Sequence, residues 1–375
     1  MHLTDVSKIS KNVLIASLRN WVPKILLLLG VGLACFLFSE VVVRVLWSDT
    51  IVVFPRFHVQ ADYEGYTLRR LEPNMTFRHM SVDGEWEFRT NAQGFRDDED
   101  YAFERTEGII RILSLGDSNT QGFEVHQEYT FSEVIERSLA AKGFPSQVLN
   151  TGISGFSTAE QLAFLESTGI KYKPDIVVLG FYANDFEDNI KAGLFAMEHN
   201  QLISAKTSHL PGVRALQIVH MVPFTKWLSY NSYFYSLGLN TMWEMAKRQL
   251  LQDAMAEYAV ATETITEVKK ALMGALLARM YEVCSSRGVA LVLVDIPMRT
   301  GPRTCASSIP IDMMSQFEQS SDVILHSDKI FGKYQGVAEI HVAHGHHHLS
   351  EFGHLMVGVA AADWIARFVE NKQGE

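Results

Sequence analysis

The chain has 375 residues, 47% of them hydrophobic and 20% charged, which describes an ordered protein with a sizeable core and excludes a disordered or fibrous one. Its formal net charge of −10, with no basic block or basic-aromatic stripe, sets nucleic acid aside as a partner. The three cysteines, Cys35, Cys284 and Cys305, form no C-x-x-C pair, so neither a zinc module nor a disulfide framework is expected, and only a single Cys284–Cys305 bridge is left open.

In chain order, the first predicted element is apolar. Residues from Ile25 to Ser39 carry no charge, and with Glu40 to Val43 the run reaches nineteen residues, about 28 Å as a helix against a hydrocarbon core of about 30 Å. Lys8, Lys11, Arg19 and Lys24 precede it and only Arg44 and Arg56 follow closely, so the basic excess puts the N-terminus in the cytoplasm and everything after residue 50 outside. Trp21 and Trp47 bracket the run, where interfacial aromatics sit. A cleaved signal peptide is the competing reading, but no A-x-A-like site follows. Cys35, in the sequence GLAC, makes a poor lipobox. Residues 1–50 are therefore expected to be a cytoplasmic tail and single-pass anchor in the inner membrane, with the rest periplasmic or extracellular.

Residues 51–108 are expected to form a small β-rich lead-in. Within it MTFRHMSVDGEWEFRT alternates around Asp83-Gly84, a dipeptide favoured by two-residue hairpins. Four apolar runs follow, IIRILSLG (109–116), QVLN (147–150), DIVVLGFY (175–182) and VALVLVDI (289–296), each ending in a turn signal, as buried parallel strands do. Between them, one helical face gathers Phe131, Val134, Ile135 and Leu139, and another Leu162 and Leu165. Near the C-terminus a helix beginning at about His354 is expected to carry Leu355, Val359 and Ala362 into the core. Strand alternating with helix predicts an α/β fold, a three-layer, doubly wound parallel sheet over 109–372. The rhythm breaks at about 189–263, longer than an ordinary connection. That helical insertion is rich in aromatics, which serve as extra core, as a lid or as a membrane contact.

Ligands bind open α/β sheets at the carboxyl ends of the strands. Three exits carry unusual residues: LGDSNTQG (115–122), NTGISGFS (150–157) and FYANDFEDN (181–189). They place Ser118, Gly155 and Asn184 at neighbouring exits. A hydroxyl, a glycine amide and a side-chain amide gathered at one edge suit acyl transfer, which needs a nucleophile and donors for a developing oxyanion. A base is then required, and HVAHGHHHLSEFGH (341–354) offers six histidines.

These blocks, in this order, with H-L-S-x-x-G-H at the C-terminal end, resemble the four sequence blocks of the SGNH, or GDSL, hydrolase superfamily. The lead-in pieces EPNMTF and NAQGFRDDED resemble those of its bacterial membrane-anchored or secreted members. The resemblance implies a flavodoxin-like sheet with Ser118 as nucleophile and His348 as base, and an oxyanion hole formed by Ser118, Gly155 and Asn184. It implies no cofactor and no resident metal. His354 is read as structural. His341, His344, His346 and His347 are metal candidates only in the loosest sense, since their spacing is not that of a zinc site.

One position departs from the family pattern. Where it carries Asp, two or three residues before the catalytic histidine, this chain has His346 and Gly345, and no acid lies between Glu339 and His348. Three arrangements stay open: a backbone carbonyl orienting His348, an acid from a distant loop, or a site that only binds. The leading expectation is a membrane-anchored serine esterase removing an acyl or acetyl group from an envelope glycan or lipid. Its partners would be an ester-bearing small molecule, glycan or lipid, the membrane, and envelope polysaccharide machinery. An acyltransferase that O-acetylates a polysaccharide and a glycan-binding scaffold are the alternatives. No G-x-S-x-G elbow and no nucleotide-binding glycine motif is present.

Overall fold

The computed structural model describes residues 4–48, 51, 53, 58–81, 83–242, 245, 262–344 and 348–374. Helix α1 (Thr4–Trp47) includes the 27-residue stretch Trp21–Trp47, long and apolar enough to cross a membrane. Within Trp21–Trp47 most of the large apolar side chains are exposed. The lead-in holds two antiparallel hairpins, β1 (His58–Tyr63) with β2 (Tyr66–Leu71), and β3 (Thr76–Ser81) with β4 (Gly84–Arg89). The first of these has no counterpart in the sequence reading.

The central sheet is built from β5 (Ile110–Gly116), β6 (Ser146–Asn150), β7 (Ile176–Phe181), β8 (Ala290–Asp295) and β9 (Val323–Leu325). All neighbours are parallel, in the order β9-β8-β7-β5-β6. In chain order this is 2-1-3-4-5, the flavodoxin-like doubly wound arrangement, whose switch point falls between β5 and β7. β9 was not foreseen, because three residues in a half-buried edge strand leave too short a pattern to read.

Both faces are covered, as the near-continuous apolar strands require. Leu113, Leu115, Val177, Leu179, Leu291 and Leu293 face α4 (Thr158–Ser167) and α8 (Thr262–Ser285). Ile112, Val148, Val178 and Val292 face α3 (Phe131–Ala141) and α9 (Glu351–Gly374). Each large aliphatic or aromatic side chain buried in these layers contributes about 1.5–3 kcal/mol. Between α4 and α8 lie α5 (Asp185–Ala192), α6 (Val213–His220) and α7 (Thr225–Asn231). The two-residue strand Ser208–His209 pairs with β2 and so ties this inserted region to the lead-in.

Two expectations need correction, and one open possibility is closed. The β3–β4 reversal falls one residue earlier than Asp83-Gly84, since Ser81 pairs with Gly84. A strand's register follows the face it buries, and here the buried pairs Phe77↔Phe88 and His79↔Trp86 fix it. Leu355 is exposed on α9; the helix begins three residues before His354, and Val357, Ala361, Ala362 and Ile365 form the buried face. Cys284 and Cys305 are separate free thiols, both buried.

Candidate active site

Ser118 opens α2 (Ser118–Gln121), directly after β5. Asp117 caps this turn, its side chain accepting from the Asn119 N–H at 2.8 Å. Burial pushes the Asp117 carboxyl up to about 6, against the pull of the Asn119 amide and the nearby His348. The preceding residue must be glycine. Gly116 has φ +156°, and a Cβ there would stand 1.9 Å from Thr120 Oγ1.

The remaining residues of GDSNTQG hold the other loops in place. Asn119 Oδ1 accepts from Leu349 N at 3.2 Å, which registers the histidine loop on the serine turn. Gln121 Oε1 accepts from Ser154 N (2.7 Å) and Ser154 Oγ (2.6 Å), which fixes the loop after β6. Arg96, fully buried, lies over the Phe88 ring at 3.8 Å and donates to the carbonyls of Gln121, Gly122 and Val125. Because buried carbonyls need partners, this cation clamps the segment that runs on from the serine.

His348 reaches Ser118 from the far end of the chain, with Nε2 2.9 Å from Oγ. Its other ring nitrogen faces an acid that the sequence reading missed. Glu124 Oε2 lies 3.6 Å from His348 Nδ1, an ion-pair separation. Its second oxygen lies 3.5 Å from His79 Nε2, on β3. The Glu124 side chain is wholly buried. Burial alone would raise its carboxyl, but the two imidazoles and their charge hold it well below the usual carboxylate range. Phe123 stands between the two imidazoles, its ring 4.4 Å from His79 and 4.7 Å from His348. Glu124 has φ +62°, a conformation rare for a residue of its kind. The acid that faces Nδ1 thus sits on the serine's own loop and not two or three positions before His348. A glutamate six residues after the serine in GDSNTQGFE was the available signal, but nothing local gave it a direction.

Gly155 has φ +78°, and its carbonyl accepts from Arg69 Nη2, on β2. A Cβ at this position would lie 2.9 Å from that nitrogen. Arg69 is buried, 3.9 Å from Glu160 and over the Phe156 ring at 5.7 Å. Among the described residues nothing accepts from the Ser118 or Gly155 N–H. Asn184 Nδ2 donates to Asp188 Oδ2 at 3.0 Å, which leaves its second amide hydrogen for another acceptor.

The other histidines are accounted for individually. His341 is buried against the Pro297 carbonyl at 2.9 Å. His344 meets Asp83 Oδ1 at 2.8 Å, which fastens the histidine loop to the β3–β4 turn. His354 Nδ1 accepts from the Phe131 N–H at 3.0 Å inside the core, the structural place expected of it. Gly345, His346 and His347 lie outside the described residues. Among the described residues no three His, Cys, Asp or Glu side chains gather as a metal site.

A 2-1-3-4-5 parallel sheet whose first strand ends in Gly-Asp-Ser, with a histidine from the last loop on that serine, defines a hydrolase of the SGNH fold. Residues 114–301 match the GDSL-like lipase/acylhydrolase family, and the chain belongs to this family of ester-bond hydrolases. The match ends before His348. Among solved structures the chain is similar to a lipase/acylhydrolase from Enterococcus faecalis, with 17% identity over 68% of this chain and 95% of that one and a TM-score of 0.37. It is also similar to a mutant of Axe2, an acetyl-xylooligosaccharide esterase from Geobacillus, with 14% identity over 69% and 94% and a TM-score of 0.38. No curated protein matches the chain in sequence.

Proposed function

We propose that the protein is a membrane-anchored serine esterase that removes an acyl group, such as acetyl, from a glycan or lipid at the cell envelope. The observation that carries this reading is the series Ser118–His348–Glu124, with the hydroxyl 2.9 Å from one ring nitrogen and the buried carboxylate 3.6 Å from the other.

In this reading His348 Nε2 takes the Ser118 proton as Oγ attacks the ester carbonyl carbon. The oxyanion that forms is held by the Ser118 and Gly155 N–H groups and the second hydrogen of Asn184 Nδ2. His348 then gives the proton to the departing alkoxide, which leaves an acyl-serine. Water, deprotonated by the same imidazole, attacks the acyl carbon, and Ser118 regains its hydrogen as the acid departs. Glu124 keeps Nδ1 protonated, so that Nε2 is the basic nitrogen, and its negative charge stabilises the imidazolium. The carboxylate behind Nδ1 favours catalysis over a scaffold that only binds.

The division into an anchor (1–50), a lead-in (51–108) and a hydrolase domain (109–372) with its insertion belongs to the same reading, with one change of emphasis. The lead-in supplies His79 behind Glu124 and Arg69 behind Gly155, so it is part of the active site. Orientation with the hydrolase domain in the periplasm or outside rests on the basic residues that precede the apolar helix. Ser118→Ala should abolish hydrolysis of p-nitrophenyl acetate and labelling by a fluorophosphonate probe; an unchanged rate would overturn the proposal.

A further inference from the structure

Helix α6, the link 221–224 and α7 present an apolar surface outward. Ile218 is 67% exposed, Met221 81%, Phe224 79% and Trp227 60%, while Val213 and Leu216 point into the protein. Phe224, at the turn between the helices, has φ +70°. A large aromatic in that backbone region is strained, so the ring is held outward at a cost. Exposed patches of this kind mark a partner or a membrane surface.

The position of α1 identifies the occupant. The Glu40 carboxylate accepts from Ser232 Oγ (2.7 Å), Tyr233 N (3.1 Å) and Phe234 N (3.0 Å), and so caps the helical residues 233–242 that follow α7. Arg44 donates to the Asn231 carbonyl at 2.6 Å and lies over the Tyr233 ring at 4.8 Å. Phe36 meets Phe234 edge to face, with ring centroids 5.6 Å apart. The corner after α7 is therefore fixed to α1 between the levels of Phe36 and Arg44. With Ile25 to Val43 filling a hydrocarbon core, about 28 Å at 1.5 Å per residue, Arg44 stands at its boundary and Glu40 one turn inside it.

We infer that α6, the 221–224 link and α7 form a second membrane contact, an apolar foot lying in the lipid headgroup boundary of the leaflet from which α1 emerges. This rests on reading α1 as a membrane anchor. In-plane helical segments with Trp and Phe on the buried side bind at this depth. The foot also orients the enzyme. Tyr230, at the end of α7, packs against the Phe77–Trp86–Phe88–Phe123 cluster beside His79 and Glu124. Val53, six residues beyond the end of α1, pairs with Met80, next to His79. The hairpin that completes the active site is thereby held close to the lipid surface, suited to an ester on a lipid or on a glycan lying against the membrane.

The test uses the full-length chain with Cys35→Ala, since Cys284 and Cys305 are buried. Single cysteines replace Met221, Leu28 or Ile311, the last being 88% exposed and outside this region. Each carries an environment-sensitive fluorophore in nanodiscs of phosphatidylcholine and phosphatidylglycerol, with and without doxyl-labelled lipid. Unchanged hydrolysis of a soluble ester establishes that each labelled protein is folded. The expected result is blue-shifted emission and strong quenching at Leu28 and at Met221, with none at Ile311. Quenching at Leu28 while Met221 behaves like Ile311 overturns the foot and leaves the anchor standing. Absence of quenching at Leu28 overturns the anchor and the foot together. Energy transfer between copies at position 221, without lipid quenching, assigns the patch to a second copy and overturns the lipid contact.

Discussion

Glu124 lies 3.6 Å from the Nδ1 of His348, although the family pattern places its acid two or three residues before the histidine and this chain has none there. The carboxylate comes instead from the loop that carries Ser118, in a left-handed residue whose neighbouring carbonyls Arg96 holds.

The first prediction concerns that acid. Glu124→Gln keeps the shape and removes the charge that stabilises imidazolium, so kcat should fall by about 10²–10⁴ with KM little changed, by analogy with the neutralised acid of a serine protease triad. Steady-state kinetics on a soluble acetate ester decide it. A wild-type kcat would mean that His348 needs no carboxylate.

His79 is expected to act through Glu124. Burial pushes the Glu124 carboxyl up, and His348 and His79 together hold it down. His79→Gln removes one of the two opposing imidazoles, so the carboxyl pKa rises and its proton returns at a higher pH. The carboxylate's contribution is present above its titration and lost as pH falls through it. As the solution is acidified, the variant should therefore lose activity at a higher pH than the wild type. Parallel pH profiles would reduce His79 to a packing residue.

Arg69 is expected to set the oxyanion loop rather than touch substrate. Arg69→Met frees the Gly155 carbonyl and leaves Glu160, which burial already pushes up to about 7, without its cation. A displaced Gly155 N–H should lower kcat by up to about 10²–10³, the cost of losing one oxyanion donor. KM should be nearly unaffected and Arg69→Lys should recover part of the rate. Equal losses in kcat and in folded fraction would show a purely structural role.

His354 makes a stability prediction with a definite sign. Burial, helped by the charges of Arg96 and His348, pushes its imidazole down to about 3, against about 6.5 unfolded. The unfolded chain therefore binds the proton first. The contribution of neutral His354 is complete above about pH 6.5 and is lost progressively as pH falls toward 3. His354→Asn keeps an acceptor for the Phe131 N–H and removes the titration, so its melting temperature should fall less steeply with acid than that of the wild type. Identical slopes would refute the assignment.

The amino-acid sequence by itself determined the parallel α/β sheet, the three strand exits and the apolar N-terminal helix. These depend on hydrophobic period, turn residues and run length, all expressed within a few residues of the positions concerned. It also singled out Ser118 and His348, because the blocks that carry them are local patterns. Only the tertiary structure decided that Glu124 and not a neighbour of His348 faces Nδ1, that His79 and Arg69 from the lead-in stand behind the site, and that Glu40 fastens α1 to the region after α7. These contacts join residues 45, 86, 192 and 224 positions apart. Their partners are chosen by how the strands and loops close in space, and no pattern along the chain records the direction in which a buried side chain will point.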